Sequence, residues 1–294
     1  MTVGIGALCQ SGQCVLMAAD MRGSFEDASF PPHEYLGKHY ALPNGFNVNT
    51  AGIKSICQSM ASELYTQIEK LAKEPHVYHD HIRNAIQETQ FLEFRYRVDH
   101  KMRFDLGISL AEWQKMEKTT LLYRRAQRVM RNYYLNVQLS VGGFLADGHP
   151  VLLTMHGNEP PEMEELSVIG SGADPALEVL VRYGQNVHMG IVRTIMHVHE
   201  AMEAAKAKDK YVGKCEAMVV LTPQQIRILQ LRSEFMKELV ASFAGRDMEP
   251  LDDDEKRFNA LMAELHHPGI TRTEYEAGKR KLTYPSNPIG QRYT

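Results

Sequence analysis

The sequence predicts an α+β fold in which two antiparallel sheets stack face to face and helices cover their outer sides. Three observations predict it. Short apolar or alternating stretches come in pairs joined by turn residues, at 2–9 with 13–19, 38–42 with 46–52, and 137–146 with 149–156, which is how hairpins read. Longer stretches with apolar residues three and four apart lie between and after those pairs, as amphipathic helices require. Single strands, "EELSVIGSG" and "CEAMVVLT", alternate with helices in the second half. Sheets with one apolar face are buried by stacking on each other and under helices.

In chain order, "QSGQ" (10–13) is the polar, Gly-containing turn of the first hairpin, and "FPPHEYLG" (30–37) is a loop. "KHYAL" and "FNVNTAG" pair about a turn at Pro43-Asn44-Gly45. Ile56, Met60, Leu64, Ile68 and Leu71 recur at helical spacing, so 54–73 is a helix, and Pro75 closes it. A second helix starts near 78. "DLGIS" (105–109) breaks the helical region, with Ser109 as N-cap of a helix through "LAEWQKMEKTTLLYRRAQRVMRNYY". "VQLSVGGFLA" and "HPVLLTMH" form a hairpin about Asp147-Gly148. "PALEVLVRYG" and "MGIVRTIMHVHEAMEAAKAKD" are helices, and Pro223 ends the strand after them. Beyond 224 the composition shifts, and "QQIRILQLRSEFMKELVASFAG" and "DDDEKRFNALMAELHH" read as two further helices before a basic tail rich in Pro and Gly. The division is a domain at 1–224 and a helical extension at 225–294.

The totals narrow the function. The 294 residues carry 33 basic and 36 acidic side chains, a net charge of -3, so no global field favours nucleic acid or an anionic membrane. Runs such as "CVLMAA" are too short to span a bilayer. The N-terminal stretch lacks the basic and apolar regions of a signal peptide, so the cytoplasm is the expected location. Four scattered cysteines, Cys9, Cys14, Cys57 and Cys215, favour neither disulfides nor a zinc site.

The chemistry starts at Thr2. A threonine hydroxyl becomes a useful nucleophile when a neighbouring group takes its proton, and a free α-amine is such a group. Its ordinary pKa of about 7.7–8.0 needs only modest depression to leave it neutral, and a nearby Lys depresses it. Removal of Met1 would expose that amine. Asp20 ends the hairpin partner of the Thr2 strand, and Lys38 begins the next strand. Gly52 stands where a strand gives way to a helix, where a backbone N–H can face a developing oxyanion.

These residues carry a resemblance. "TVGIGALCQSGQCVLMAADMRGS" resembles the start of a mature catalytic proteasome-type β-subunit, in which a Thr-led strand turns back into an "AAD-x-R" strand end. Lys38 precedes Gly52 by fourteen residues, similar to the family's spacing from its lysine to its oxyanion glycine. "VIGSGADPALEVL" looks like the family's G-S-G segment and helix, and "AKAKDKYVGKCEAMVVLT" like its "R-D-x-x-S-G" loop and strand. The resemblance covers about 1–222. It implies an N-terminal nucleophile hydrolase fold, a four-layer αββα sandwich. It implies Thr2 as nucleophile and base, Asp20 and Lys38 tuning it, Gly52 as oxyanion donor, and Ser171 and Asp209 supporting the amine. The chain departs from the pattern at Val212, where the family has a supporting Ser. It also departs in a first hairpin about two residues longer, an insertion at about 98–125, and the extension at 225–294.

The same residues have plainer readings. Thr2 can simply begin a strand; Asp20 and Lys38 can be a structural ion pair; Ser171 and Gly172 can cap the helix near Pro175. His76, His79 and His81 do not share one helix face and read as a solvated helix start rather than a metal site. Arg124, Arg128 and Arg131 share a face that reads as solvated or as a subunit contact rather than a phosphate site. His197 and His199 point apart on their helix. The expectation is a threonine-type hydrolase of peptides or unfolded protein, self-associated into a ring or other closed assembly. It requires no metal or organic cofactor. A small-molecule amidase and a non-catalytic proteasome-fold scaffold or binding subunit are the alternatives.

Overall fold

A computed structural model describes residues 2–20, 38–71, 74, 76–209, 212–213, 216–223, 225–230 and 270–271. Strands β1 (Gly4–Cys9) and β2 (Cys14–Asp20) form the first hairpin, paired from Gly4 with Ala19 to Cys9 with Cys14. Their turn puts Gln10 and Ser11 at φ 51 and 54, a left-handed bend taken by polar turn residues. The second pair, β3 (His39–Ala41) and β4 (Asn47–Gly52), turns at Pro43–Gly45 as the sequence predicts. Helix α1 (Lys54–Leu71) follows, then α2 (His79–Leu106), α3 (Leu110–Lys115) and α4 (Leu121–Asn132). The chain continues through β5 (Val137–Phe144), β6 (Pro150–His156), β7 (Glu162–Met163) and β8 (Leu166–Ile169). Helices α5 (Ala173–Arg182) and α6 (Ile191–Lys208) precede β9 (Glu216–Leu221), β10 (Gln225–Gln230) and β11 (Ile270–Thr271).

These strands make two sheets, both antiparallel, one ordered β11-β10-β9-β2-β1-β8 and the other β3-β4-β5-β6-β7. The mixed α+β class with two antiparallel sheets agrees with the expectation. Alternate residues of β1, β2 and β9 (Ile5, Leu16, Met218) bury against α5 and α6, through Val179, Ile195 and Met202. The opposite face of the first sheet (Leu8, Val15, Met17, Val219) meets Phe144 and Leu152 of the second. The second sheet's other side, with Val48, Leu139 and Leu153, packs on Met60 and Leu64 of α1 and Ile82 and Ile86 of α2. Full burial of one such side chain contributes about 1.5–3 kcal/mol, so the strand alternation is what commits each face to its layer. The far half of α2 has a small apolar cluster of its own, Val98 and Met102 with Trp113 and Ala126.

Two readings need correction. The single helix expected after Ser109 is two. Ser109 does cap α3, its Oγ accepting the Glu112 N–H, but α3 ends at Lys115. Thr120 then caps α4 by accepting the Tyr123 N–H at 3.1 Å. The break lets Trp113 stack on Tyr123 and donate to its carbonyl. Residues 225–230, read as the start of a helix, form β10 along β9. Gln-Ile-Arg-Ile-Leu-Gln fits either period over so short a length, and the available edge of β9 decides. Ile270 and Thr271, read as part of the basic tail, form β11 along β10. The rest of that tail, the remainder of the first expected extension helix, the second one, the loop at 30–37 and Cys215 lie outside the described residues.

Candidate active site

Thr2 sits just before β1 with 6% of its surface exposed. Its backbone N–H donates to Ser171 Oγ at 3.3 Å, and the Ser171 hydroxyl donates to Asp209 Oδ2 at 2.8 Å. The direction of this relay follows from proton count: a serine has one hydroxyl proton, and here the carboxylate takes it. The serine oxygen therefore faces Thr2 as an acceptor. The Thr2 carbonyl in turn accepts the Gly172 N–H at 3.1 Å. Both ends of the residue are thus held by the turn between β8 and α5, a strand and helix that bracket the "GSG" sequence. Asp209 immediately follows α6.

A second set of bonds lies beneath. Asp20, the last residue of β2, is fully buried. Its Oδ1 accepts the Val3 N–H at 2.9 Å, and its Oδ2 accepts Lys38 Nζ at 2.8 Å and the Gly213 N–H at 2.9 Å. A carboxylate taken out of water needs this number of donors. Lys38 lies at the entry to β3, where its carbonyl accepts the Thr50 N–H at 2.8 Å. Its charge reaches Cys57 on α1. Burial pushes that thiol up to about 11, against the lowering pull of the Thr50 hydroxyl and Lys38.

Gly52 ends β4 at φ +120, and a methyl carbon on it would lie 2.3 Å from the Asn136 carbonyl oxygen. Only glycine fits there. Gly170 is equally constrained at φ +96. A methyl carbon on it would fall 2.1 Å from the Thr2 oxygen and 3.4 Å from Ala51 Cβ. The strand end that carries Gly52 therefore lies beside the Thr2 backbone. The Gly170 N–H donates to Gln138 Oε1 of β5 at 2.6 Å, which ties the turn to the second sheet.

The six residues expected from sequence thus gather in one place. Thr2, Ser171 and Asp209 form one chain of hydrogen bonds and Asp20 with Lys38 another, linked through the Thr2–Val3 peptide; Gly52 approaches from the second sheet. Val212 is buried in the core with α6, and its N–H donates to the Asp209 carbonyl. No protein-family model matches the chain, and a search of curated proteins finds no match to it.

Three residues around this constellation were not singled out from sequence: Asn49, His39 and Gln138. Their only sequence signal is polarity within otherwise apolar strands, as in "FNVNTAG". Elsewhere, His79 Nε2 contacts the Pro150 carbonyl and His81 Nδ1 accepts the Tyr78 N–H, both serving the start of α2. Arg124, Arg128 and Arg131 are exposed on α4. Among the described residues no group of three or more His, Cys, Asp or Glu is placed to hold a metal ion. Nor is any helix among them long and apolar enough to cross a membrane.

Proposed function

We propose that the protein is a threonine-type peptide or amide-bond hydrolase similar to proteasome β-subunits, its sheets and outer helices forming the four-layer αββα sandwich of an N-terminal nucleophile hydrolase. The observation that carries this reading is the pair of hydrogen-bond chains meeting at Thr2: Ser171–Asp209 on its nitrogen, and Asp20–Lys38 on the adjoining amide. Removal of Met1 converts the Thr2 nitrogen from an amide to an amine. Because the Ser171 oxygen accepts one N–H, the amine lone pair is left for the Thr2 hydroxyl. That hydroxyl gives its proton to the amine as Oγ bonds to the substrate carbonyl carbon. The Gly52 N–H stabilises the oxyanion. The C–N bond then breaks, the amine returns the proton to the leaving nitrogen, and water hydrolyses the Thr2 ester. On this reading Lys38, anchored by Asp20, is the cation that favours the neutral amine.

The test is intact mass of the full chain before and after a threonine-directed β-lactone. Loss of Met1 and a single adduct absent in Thr2→Ala support the nucleophile, and a preference for long or short peptides then separates protease from amidase. A retained Met1 with no adduct overturns the hydrolase in favour of a scaffold or binding subunit. The apolar Val212, in place of a hydroxyl that could hold the amine, is the observation that favours this second reading.

A further inference from the structure

The proposed site is divided between two sheets. Thr2 precedes β1 and Asp20 ends β2 in the first, and Lys38 precedes β3 and Gly52 ends β4 in the second. Something must hold the halves in register, because a misplacement of about 1 Å in reacting groups costs on the order of 100-fold in rate. Asn49 of β4 is fully buried between them. Its Nδ2 donates to the Ile5 carbonyl at 3.1 Å and to the Ala18 carbonyl at 2.9 Å, and those residues face each other across β1 and β2. Its Oδ1 lies 2.7 Å from Nδ1 of His39, its direct partner across β3 and β4.

The chemistry leaves one arrangement. Two backbone carbonyls can only accept, so the amide nitrogen must face them and the amide oxygen must face His39. An oxygen there requires a donor, so His39 carries its proton on Nδ1. His39 is the residue after Lys38, and Ala18 is two before Asp20. We propose that Asn49, oriented by His39, is a positioning residue that keeps the Thr2–Asp20 half of the site aligned with the Lys38–Gly52 half. This rests on the hydrolase reading for its catalytic consequence, though not for its structural one.

The sharpest perturbation is Asn49→Asp, which keeps the shape but sets a carboxylate oxygen against the Ile5 and Ala18 carbonyls; Asn49→Ala removes the bonds outright. Two readouts are taken on the full chain. The first is amide hydrogen exchange at Val3, whose N–H is bound to Asp20 and reports that carboxylate's placement without any chemistry. The second is the kinetics of β-lactone adduct formation at Thr2, separating the maximal rate from inhibitor affinity. The clamp predicts at least tenfold faster Val3 exchange in both variants. It also predicts a 10- to 100-fold lower maximal acylation rate with affinity unchanged within twofold. Nitrogen NMR of the wild type should find His39 protonated on Nδ1. Val3 exchange and acylation rate both within twofold of wild type would overturn the assignment. If the wild type forms no adduct, the hydrolase reading fails, and Val3 exchange still decides the role of Asn49. Should neither Asn49 variant fold, His39→Gln, which retains an N–H donor, is compared with His39→Phe. Faster exchange in the Phe variant alone supports the clamp, and equal behaviour overturns it.

Discussion

Asp20→Asn is the most discriminating change in the buried half of the site, because neither orientation of the new amide can work. Asp20 presents acceptors on both sides: Oδ1 to the Val3 N–H, and Oδ2 to both Lys38 and the Gly213 N–H. An asparagine has one acceptor oxygen. If its NH2 faces Val3, one buried backbone N–H meets a donor; if it faces the other way, Gly213 and the Lys38 ammonium do. An unsatisfied buried donor costs about 1–3 kcal/mol, and an ion pair broken by loss of one partner about 3–5 kcal/mol. The Lys38 side chain is 11% exposed and can regain some hydration, so the expected destabilisation is about 3 kcal/mol rather than the sum. Urea unfolding should show a lower midpoint with an unchanged slope. A change below about 1 kcal/mol would refute the reasoning, since it would mean that water already shares the carboxylate.

Gly170→Ala should destabilise by about 2 kcal/mol or more and, on the proposed hydrolase reading, abolish the Thr2 adduct, since the side chain meets the Thr2 carbonyl in a backbone conformation that alanine avoids; a wild-type midpoint would contradict this. His197 is held well below its ordinary value, from 6.5 to about 4, by burial and then by the Arg193 charge. The unfolded chain therefore takes up this proton first, and stability is lost as pH falls from about 6.5 to about 4, by at most about 3 kcal/mol. His197→Gln should flatten that part of the pH dependence in urea titrations, and an unaltered slope would exclude His197 as its source. Cys57, pushed up to about 11 inside the α1 interface, should resist iodoacetamide at pH 8 in the native protein and react once unfolded; native labelling at the rate of a free thiol would show that the interface opens.

Much of this was legible in the chain because the relevant signals are local. Hairpins announce themselves by alternation and by Gly-containing turns, and Thr2, Asp20, Lys38, Gly52, Ser171 and Asp209 each sit at a strand or helix end that those signals locate. What the ends do to one another was legible only through the order of the set. Asn49 and Gln138 were invisible for a physical reason: a polar residue in a strand faces solvent or a second sheet depending on what stacks on it, and stacking is not encoded in the strand's own period. The same limit explains β10, where six residues satisfy both periods and a neighbouring edge chooses. The α3–α4 break had a local cause, the Thr120 cap, but the apolar spacing on either side of it continues across the gap.

The first sheet also has a history in time. Its central hairpin, β1–β2, is flanked by β8 on one side and β9 on the other, so the ribosome delivers the middle strands long before their neighbours. About 150 residues separate Asp20 from Leu166, an interval of roughly 7–30 s at about 5–20 residues per second. Throughout that interval the hairpin has two open edges, and Ser171, Asp209 and Gly213 do not yet exist to hold Thr2 and Asp20. On the proposed reading this delay is useful. Met1 can be removed while the Thr2 nitrogen is not yet held by Ser171 and Asp209.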